Sequence, residues 1–570
     1  MNSLDDLALP RCSCLWFAAP LFALVLAGCG ESSPADLVLH GGAVITFAEG
    51  GEQSQAIAIR DGRIVAVGSD SEVLTHVGDN TRSVDLGGRT VVPGLTDNHF
   101  HSLGGGPGVD LSGARSLQEV IASIRERAEA TPEGEVVVTN SNWHEGQLAE
   151  QTLPLRDDLD RASSAHPIVV VRGGHEYILN SAALDKWGIQ ATDESPPGGR
   201  IGRYADGRLN GELVDRAKDP VELPRIPAAA PEASLLSEIR VLSQLGITSV
   251  RIPGGSAEQF ALFERLAESG QLDVRVDFLF RPRGIGPEGI DDAVASWGAV
   301  PDYSTEMLTV GGVKLGVDGG FEGGLMREPY LEPWGQGGTF FGLQTRPTDG
   351  FKTVVQRLNE LGWRVATHAV GDAAIDLVLD AYEETNEERS LAGRRWTIEH
   401  GFIPAPDQFE RMRALGLTVT AQNHLYLAAP SLVQYWGAER TAYTTPVGLY
   451  VQEQVPVSLG TDSPVIPYNP FWVLYHFATR GTISAGIQGA EYAVGRLEAL
   501  RLMTEGYAYQ VFAETEGGSL QPGMRADLAV LSGDYLAVPD EEIQELTSVL
   551  TVVGGRVVHD ELVGDTGGDR

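Results

Sequence analysis

The stretch Thr90-Val91-Val92-Pro93-Gly94-Leu95-Thr96-Asp97-Asn98-His99-Phe100-His101 decides how the rest of the chain reads. Apolar β-formers lead into a Pro-Gly break, and two histidines come next at i and i+2. On an extended strand alternate residues face one side, so His99 and His101 project together like two prongs. Two imidazoles about 7 Å apart along a strand can share one divalent cation. A lone His-x-His fits two surface histidines beside a turn equally well, so its meaning rests on the polar residues further along the chain.

Between residues 93 and 514, β-like runs alternate with helix-length amphipathic segments, the pattern of a parallel sheet flanked by helices. Strands are expected at 91–99, 246–252, 274–280, 308–317, 364–370, 395–401, 417–423 and 455–462. Eight is the number that closes a (β/α)8 TIM barrel, an α/β fold. The gap after the first strand is too long for one crossover. It holds further β runs, EVVVTNSNW and HPIVVVRGG, and a hairpin pattern in RIGRYADGRLNG. Residues from about 105 to 235 are therefore expected to form an inserted lobe over the barrel mouth. The flanks, 35–92 and 515–563, show short β segments cut by Gly and Asp, with a hairpin signal at Asp61-Gly62. Neither flank has strands enough for a sheet of its own. One composite β-sandwich built from both chain ends is the expected solution.

Active sites of such barrels lie at the C-terminal ends of the strands. The expected strand ends deliver His99 and His101, then Lys314 from a Gly-Val run, His368 in VATHAVGD, His400 in TIEHG and Asp462 in SLGTDSP. A lysine inside an apolar run is misplaced for a solvated charge. Each histidine alone is more often structural than functional. Six metal-competent groups at the ends of five strands are hard to attribute to chance. Hydrolysing a carbon–nitrogen bond at neutral pH needs a strong nucleophile, and a divalent metal brings the pKa of water from 15.7 to about 7–9. Neutral imidazoles suit Zn2+. The set accommodates one ion or two. A second ion needs an anionic bridge, and a Lys314 carbamate formed with CO2 would serve, which requires a buried amine of lowered pKa. Asp462 is expected both to bind metal and to act catalytically, taking a proton as water attacks and passing it to the leaving nitrogen.

The 570-residue chain carries a formal net charge of −36. A nucleic-acid partner would need clustered Lys and Arg, so none is expected. Its three cysteines, Cys12, Cys14 and Cys29, all precede residue 30, which excludes a thiol nucleophile, Cys-ligated zinc or a disulfide in the folded body. Residues 15–28 are almost wholly apolar, with the length of a signal-peptide core and too short to span a membrane comfortably. They end Leu26-Ala27-Gly28-Cys29, which looks like a bacterial lipobox. Residues 1–29 are expected to be a lipoprotein signal peptide, with lipid on Cys29 as the membrane anchor. Gly30 favours the periplasmic face of the outer membrane in a Gram-negative cell. Asp5 and Asp6 against Arg11 depart from the usual basic start.

In order, VVPGLTDNHFH, HEYILNSAALDKWGI, GGVKLGVDGG, VATHAVGDAA, RWTIEHG, SLGTDSPV and GGSLQPGMRADLAVL resemble the amidohydrolase superfamily. More narrowly they resemble its amidohydrolase-3 branch, which includes N-substituted formamide deformylase-like proteins. The resemblance runs from about residue 36 to 560. It implies the barrel with its composite sandwich and a zinc-type centre of one or two ions. That centre would comprise His99, His101, Lys314, His368, His400 and Asp462. The implied reaction is hydrolysis of C–N bonds other than peptide bonds, in an amide, formamide or cyclic amide. Asn98, where a small residue is more usual, and Met524-Arg525, in place of a common Lys, depart from the pattern, and neither is expected to touch the proposed site. The same centre also fits esters, lactones or phosphoesters. A third reading is an inactive ligand-binding lipoprotein, which the full donor set argues against. For a small-molecule substrate the candidate contacts are His175 in RGGHEYILN, Trp143 with its neighbours His144 and Glu145, and His424 and Tyr426 past the seventh strand. Asp97 is expected to brace the first turn, and Glu399 to point away from the side that His400 faces. His40, His76, His166, His476 and His559 are read as structural or surface residues.

Overall fold

The computed structural model describes residues 33–48, 51–104, 106–224, 231–282, 284 and 286–562. The lipobox reading falls on residues 1–29, outside them. Among the described residues no helix is long and apolar enough to cross a membrane.

Eight parallel strands succeed one another around a nearly closed barrel in chain order: β1 (Leu95–Asp97), β2 (Ile247–Gly255), β3 (Arg275–Phe280), β4 (Leu308–Gly316), β5 (Val365–Ala369), β6 (Thr397–His400), β7 (Thr418–Gln422) and β8 (Val457–Gly460). Helices cover the outside, among them Ala257–Glu268, Thr348–Glu360, Asp372–Glu388 and Gln408–Leu415. Strands covered on both faces read as continuous apolar runs. Val250, Phe278, Val313, Ile398 and Val419 accordingly share one buried core with the surrounding helices. Ser256 follows β2 and caps the next helix by accepting a hydrogen bond from the Gln259 N–H.

The first strand is shorter than the sequence suggests. Residues 91–99 divide at Gly94: Thr90–Pro93 belongs to the sandwich, and Leu95–Asp97 opens the barrel. The Gly94 N–H donates to Asp527 O at 3.0 Å and the Leu95 N–H to Gly246 O at 3.0 Å, so the chain changes sheets across one peptide. A Cβ on Gly94 would lie 2.2 Å from Thr248 Oγ1, which leaves glycine as the residue that allows this approach. Past β1, Asn98 N–H donates to Leu459 O (3.3 Å), Asp462 N–H to His99 O (2.8 Å) and His101 N–H to Ser463 O (2.9 Å). These bonds draw the first and last strands together at the mouth, and the seam carries His99, His101 and Asp462.

Strands from both chain ends interleave in a six-stranded sheet, where Leu528–Leu531 lies between Thr90–Pro93 and Ser548–Val553. A four-stranded sheet that includes Leu37–His40 and Ala56–Arg60 packs on it, with Leu39 and Ile57 of one sheet and Val91 and Leu528 of the other in a single core. The Asp61-Gly62 turn has φ of 51° and 75°, the two left-handed residues that a tight hairpin demands. Between β1 and β2 lies a separate five-stranded sheet, in which Gly199–Arg203 and Leu209–Asp215 form an antiparallel hairpin. The edge of this lobe reaches the barrel mouth, where the His175 ring stands 5.2 Å from that of His368.

Candidate metal centre

Asp462 closes β8 in a left-handed conformation, φ 61°. Its Oδ1 lies 3.4 Å from His99 Nε2 and 3.2 Å from His101 Nε2. Its Oδ2 lies 3.2 Å from His424 Nε2 and 3.9 Å from His400 Nδ1. Two donor triads result, His99–His101–Asp462 and His400–His424–Asp462, each with its ligand atoms within 4.8 Å of one another. Asp462 is common to both. The cluster is continuous: the His99 ring is 4.7 Å from His400, and His400 is 4.6 Å from His368. Lys314 Nζ approaches His99 Nε2 to 3.3 Å, which puts it beside the first triad.

Neighbouring polar groups fix the orientation of these rings. His99 Nδ1 faces Glu399 Oε2 at 2.7 Å, which leaves Nε2 turned to the centre. Glu399 also accepts from Arg251 Nη1 (2.6 Å) and Thr420 Oγ1 (2.6 Å). Strand alternation alone would turn Glu399 and His400 opposite ways. His400 instead has φ 74°, which breaks the alternation and lets consecutive side chains reach one centre. His400 Nδ1 meets Gln422 Oε1 at 2.7 Å, Gln422 Nε2 donates to Asn98 Oδ1 at 3.2 Å, and Asn98 Nδ2 donates to Ser458 Oγ at 2.8 Å. Asn98, the departure in the first motif and expected to stay clear of the site, instead anchors the chain of hydrogen bonds that holds His400. Asp97 braces the turn by accepting from the His99 N–H (3.0 Å) and from the Thr461 hydroxyl (2.6 Å).

Burial sets the protonation of the cluster. It pushes His99 down to about 4, helped by the Lys314 charge. His368 and His400 fall well below the usual imidazole value for the same reason. Burial lowers Lys314 to about 8 against the pull of Glu399. For Asp462 burial acts upward, but His99 together with hydrogen bonds from His101 and His424 outweighs it and holds the carboxyl well below its ordinary range. His99, His368 and His400 therefore stay neutral, beside one ionised carboxylate. His424 Nδ1 is buried without a hydrogen-bond partner among the described residues. This donor set fits a divalent cation, and the nitrogen-rich composition suits Zn2+.

The other sequence candidates separate into those at the mouth and those away from it. His368 lies in the cluster, with Nε2 on Gly319 O at 3.1 Å and 3.5 Å from Asp318 Oδ1. His175 is held by Asp215 at 2.6 Å and, with His144, Arg172, Phe321, Phe402 and His424, lines the cavity over the centre. Three candidates do not line it. Glu145 is buried and pairs with Arg172 Nη2 at 2.6 Å. Trp143 is fully buried in the lobe core and its Nε1 donates to Val171 O at 2.9 Å, so it packs the lobe and lines no part of this cavity. Tyr426 sits two residues into the turn after His424, roughly 200° around a helix from it. Its hydroxyl donates to Gln544 and its ring packs beside Trp472, outside the cavity. Gln422 and Arg251 support the site but lie in none of the family-like stretches, whereas Asp318, which also supports it, lies within GGVKLGVDGG. The one sequence signal for Gln422 is its position at a strand end, and it is weak.

Residues 82–559 match the model of the amidohydrolase family, Amidohydro_3. The chain belongs to the amidohydrolase family. It is accordingly an enzyme, a hydrolase acting on C–N bonds. Among its relatives is YtcJ of Bacillus subtilis (strain 168), 26% identical over 92% of this chain and 99% of that protein. Another is N-substituted formamide deformylase of Arthrobacter pascens, 28% identical over 91% of this chain and 97% of that protein. A similar solved structure is an uncharacterised metal-dependent hydrolase from Pyrococcus horikoshii OT3, with a TM-score of 0.65 and 23% identity over 89% of this chain and 99% of that chain. At that identity the likeness speaks for the amidohydrolase barrel fold.

Proposed function

We propose that this amidohydrolase cleaves a non-peptide amide, formamide or cyclic amide at a zinc-type centre, with Asp462 as the proton shuttle. The carrying observation is the seam between β1 and β8, where one carboxylate meets His99, His101 and His424 at 3.2–3.4 Å. His99, His101, His400, His424 and Asp462 would hold the cation, with His368 and Lys314 alongside. A divalent ion there supplies Lewis acidity, polarising the carbonyl and acidifying water. Asp462, ionised, accepts the proton of the attacking water and returns it to the departing nitrogen. Glu399 and Gln422 keep His99 and His400 in place. Lys314, lowered to about 8, retains neutral amine near physiological pH, which supports its conversion to a carbamate. Phe321, Phe402 and His175 line the cavity where substrate lies. The lipobox at Cys29 supports an enzyme tethered at the cell envelope.

The test pairs metal analysis with a substrate panel. Purified protein should hold stoichiometric zinc or a similar ion, lose it in His400→Ala, and cleave members of an amide and formamide panel in preference to lactones and phosphotriesters. Protein that never holds metal would favour the ligand-binding reading. Metal-loaded protein that cleaves lactones or phosphotriesters and no amide would sink the choice of bond.

A further inference from the structure

Beyond the His175–His368 pair a groove of about 580 Å3 leads away from the centre. Arg281 lines it from just past β3, Arg346 from the segment after β4, and Arg216 and Lys218 from the short lobe turn Arg216–Lys218. Lys314, His175 and His368 form its inner end, so the groove opens onto the metal centre. Cations converging from three parts of the fold are unexpected on a chain of net charge −36. The carboxylates in the same wall have tasks of their own. Asp215 holds His175 at 2.6 Å, and Asp219 pairs with Arg216 at 3.4 Å. Asp318 accepts from the backbone N–H groups of Leu325, Val370 and Gly371. Lys218 Nζ donates to Gly174 O at 2.6 Å and stands 4.9 Å over the Tyr177 ring, which fixes its ammonium at the groove. Arg281 and Arg346 also make contacts, so an anion arriving here would join existing partners. On the other side of the His175–His368 pair the cavity presents an apolar face, Phe321, Val370, Phe402 and Val465, beside Arg172 and Glu322, which pair with each other at 2.9 Å.

We propose that the substrate is an amide carrying a carboxylate, such as an N-acylated amino acid, with its apolar acyl group against Phe321 and Phe402 and its carboxylate among Lys218, Arg281 and Arg346. This deepens the C–N hydrolase reading and rests on it. Arginine meets a carboxylate through paired, charge-assisted hydrogen bonds, which neutral amides cannot match.

A hydrolysis-resistant probe separates recognition from chemistry. In 3-benzoylpropionate a methylene replaces the amide nitrogen of N-benzoylglycine, and its primary amide is the neutral partner. By titration calorimetry the acid should bind at least about tenfold more tightly than the amide, a difference of about 1.4 kcal/mol. The double variant R281Q/R346Q should erase that difference while its far-UV circular dichroism stays unchanged. Equal binding, no binding, or a preference that survives in the double variant overturns the proposal. A preference that survives would mean that the carboxylate is bound elsewhere, the metal included. Assay of N-benzoylglycine alongside keeps the two readings apart. Selective binding with no cleavage of any amide would sink the hydrolase reading and leave the anion groove standing. Cleavage of neutral amides with no acid preference would do the reverse.

Discussion

Glu399 Oε2 lies 2.7 Å from His99 Nδ1, while its other oxygen accepts a 2.6 Å hydrogen bond from Arg251. One buried carboxylate thus fixes the tautomer of the imidazole proposed to bind metal and pairs with a buried guanidinium. Glu399→Gln keeps the shape and removes the charge. Zinc affinity should fall about 10–100-fold, the usual effect of losing a group that orients a ligand. Arg251 keeps Asp277 at 3.4 Å, so losing the Glu399 charge should also cost about 1–3 kcal/mol of stability. Competition with a chelator reads the first effect and urea unfolding of metal-free protein reads the second. Unchanged zinc affinity would show that Glu399 does not orient His99.

Asp462→Asn makes a contrasting prediction. In the proposed mechanism Asp462 moves the proton as well as binding, so excess zinc should not restore the variant's activity. A positioned acid–base group contributes about 10²–10⁴-fold. The expected kcat loss is of that size at full metal occupancy, whereas Glu399→Gln should recover a much larger share of kcat when saturated. Plotting kcat against bound zinc for both variants decides the matter, and coincident lines would remove the shuttle role from Asp462.

The ligand candidates are legible in the sequence and their supports are not, because of where each sits. His99, His101, His400 and Asp462 stand at strand ends, where a polar group interrupts an apolar run and is visible without coordinates. Gly94 hides a boundary, because a chain that leaves one sheet and enters another across one peptide still reads as one long strand. Glu399 defeats the alternation rule because that rule assumes extended backbone throughout, and His400 at φ 74° departs from it. Trp143 comes after a β run in the lobe just as His175 does, yet the lobe core takes the indole. Tyr426 is a neighbour of His424 in sequence, and helical geometry turns it away. The basic groove has no sequence signature, since Lys218, Arg281 and Arg346 are far apart in the chain and meet through the barrel's closure.

The envelope assignment has its own test. If Cys29 carries lipid, cells expressing the full chain should incorporate labelled palmitate into it and place it in the membrane fraction. Cys29→Ser should lose the label and move to the soluble fraction, with kcat on the best amide unchanged because the anchor lies far along the chain from the centre. Label retained in Cys29→Ser would refute the lipobox.

His476 gives a prediction about acid stability that does not involve the metal centre. It is fully buried on the helix Pro470–Thr479, its Nδ1 faces Gly481 O at 2.9 Å, and its Nε2 has no hydrogen-bond partner among the described residues. Burial, with the nearby Arg480 charge, pushes it down to about 3 from the usual 6.5. The unfolded chain therefore takes up this proton as pH falls below about 6.5, while the folded protein refuses it until about 3. Protons bound preferentially by the unfolded state lower stability, so this one residue should remove about 2 kcal/mol between neutrality and pH 5. Asp97 and Asp318, which burial pushes up to about 7, act in the opposite sense: the folded state binds their protons first and gains stability as pH falls. Those contributions are shared by wild type and His476→Gln and cancel in the difference. Urea unfolding of metal-free protein across this range should show the His476→Gln stability curve falling less steeply, by about 2 kcal/mol at pH 5 relative to pH 7.5. Parallel curves would mean that His476 is protonated in the fold as readily as in the unfolded chain.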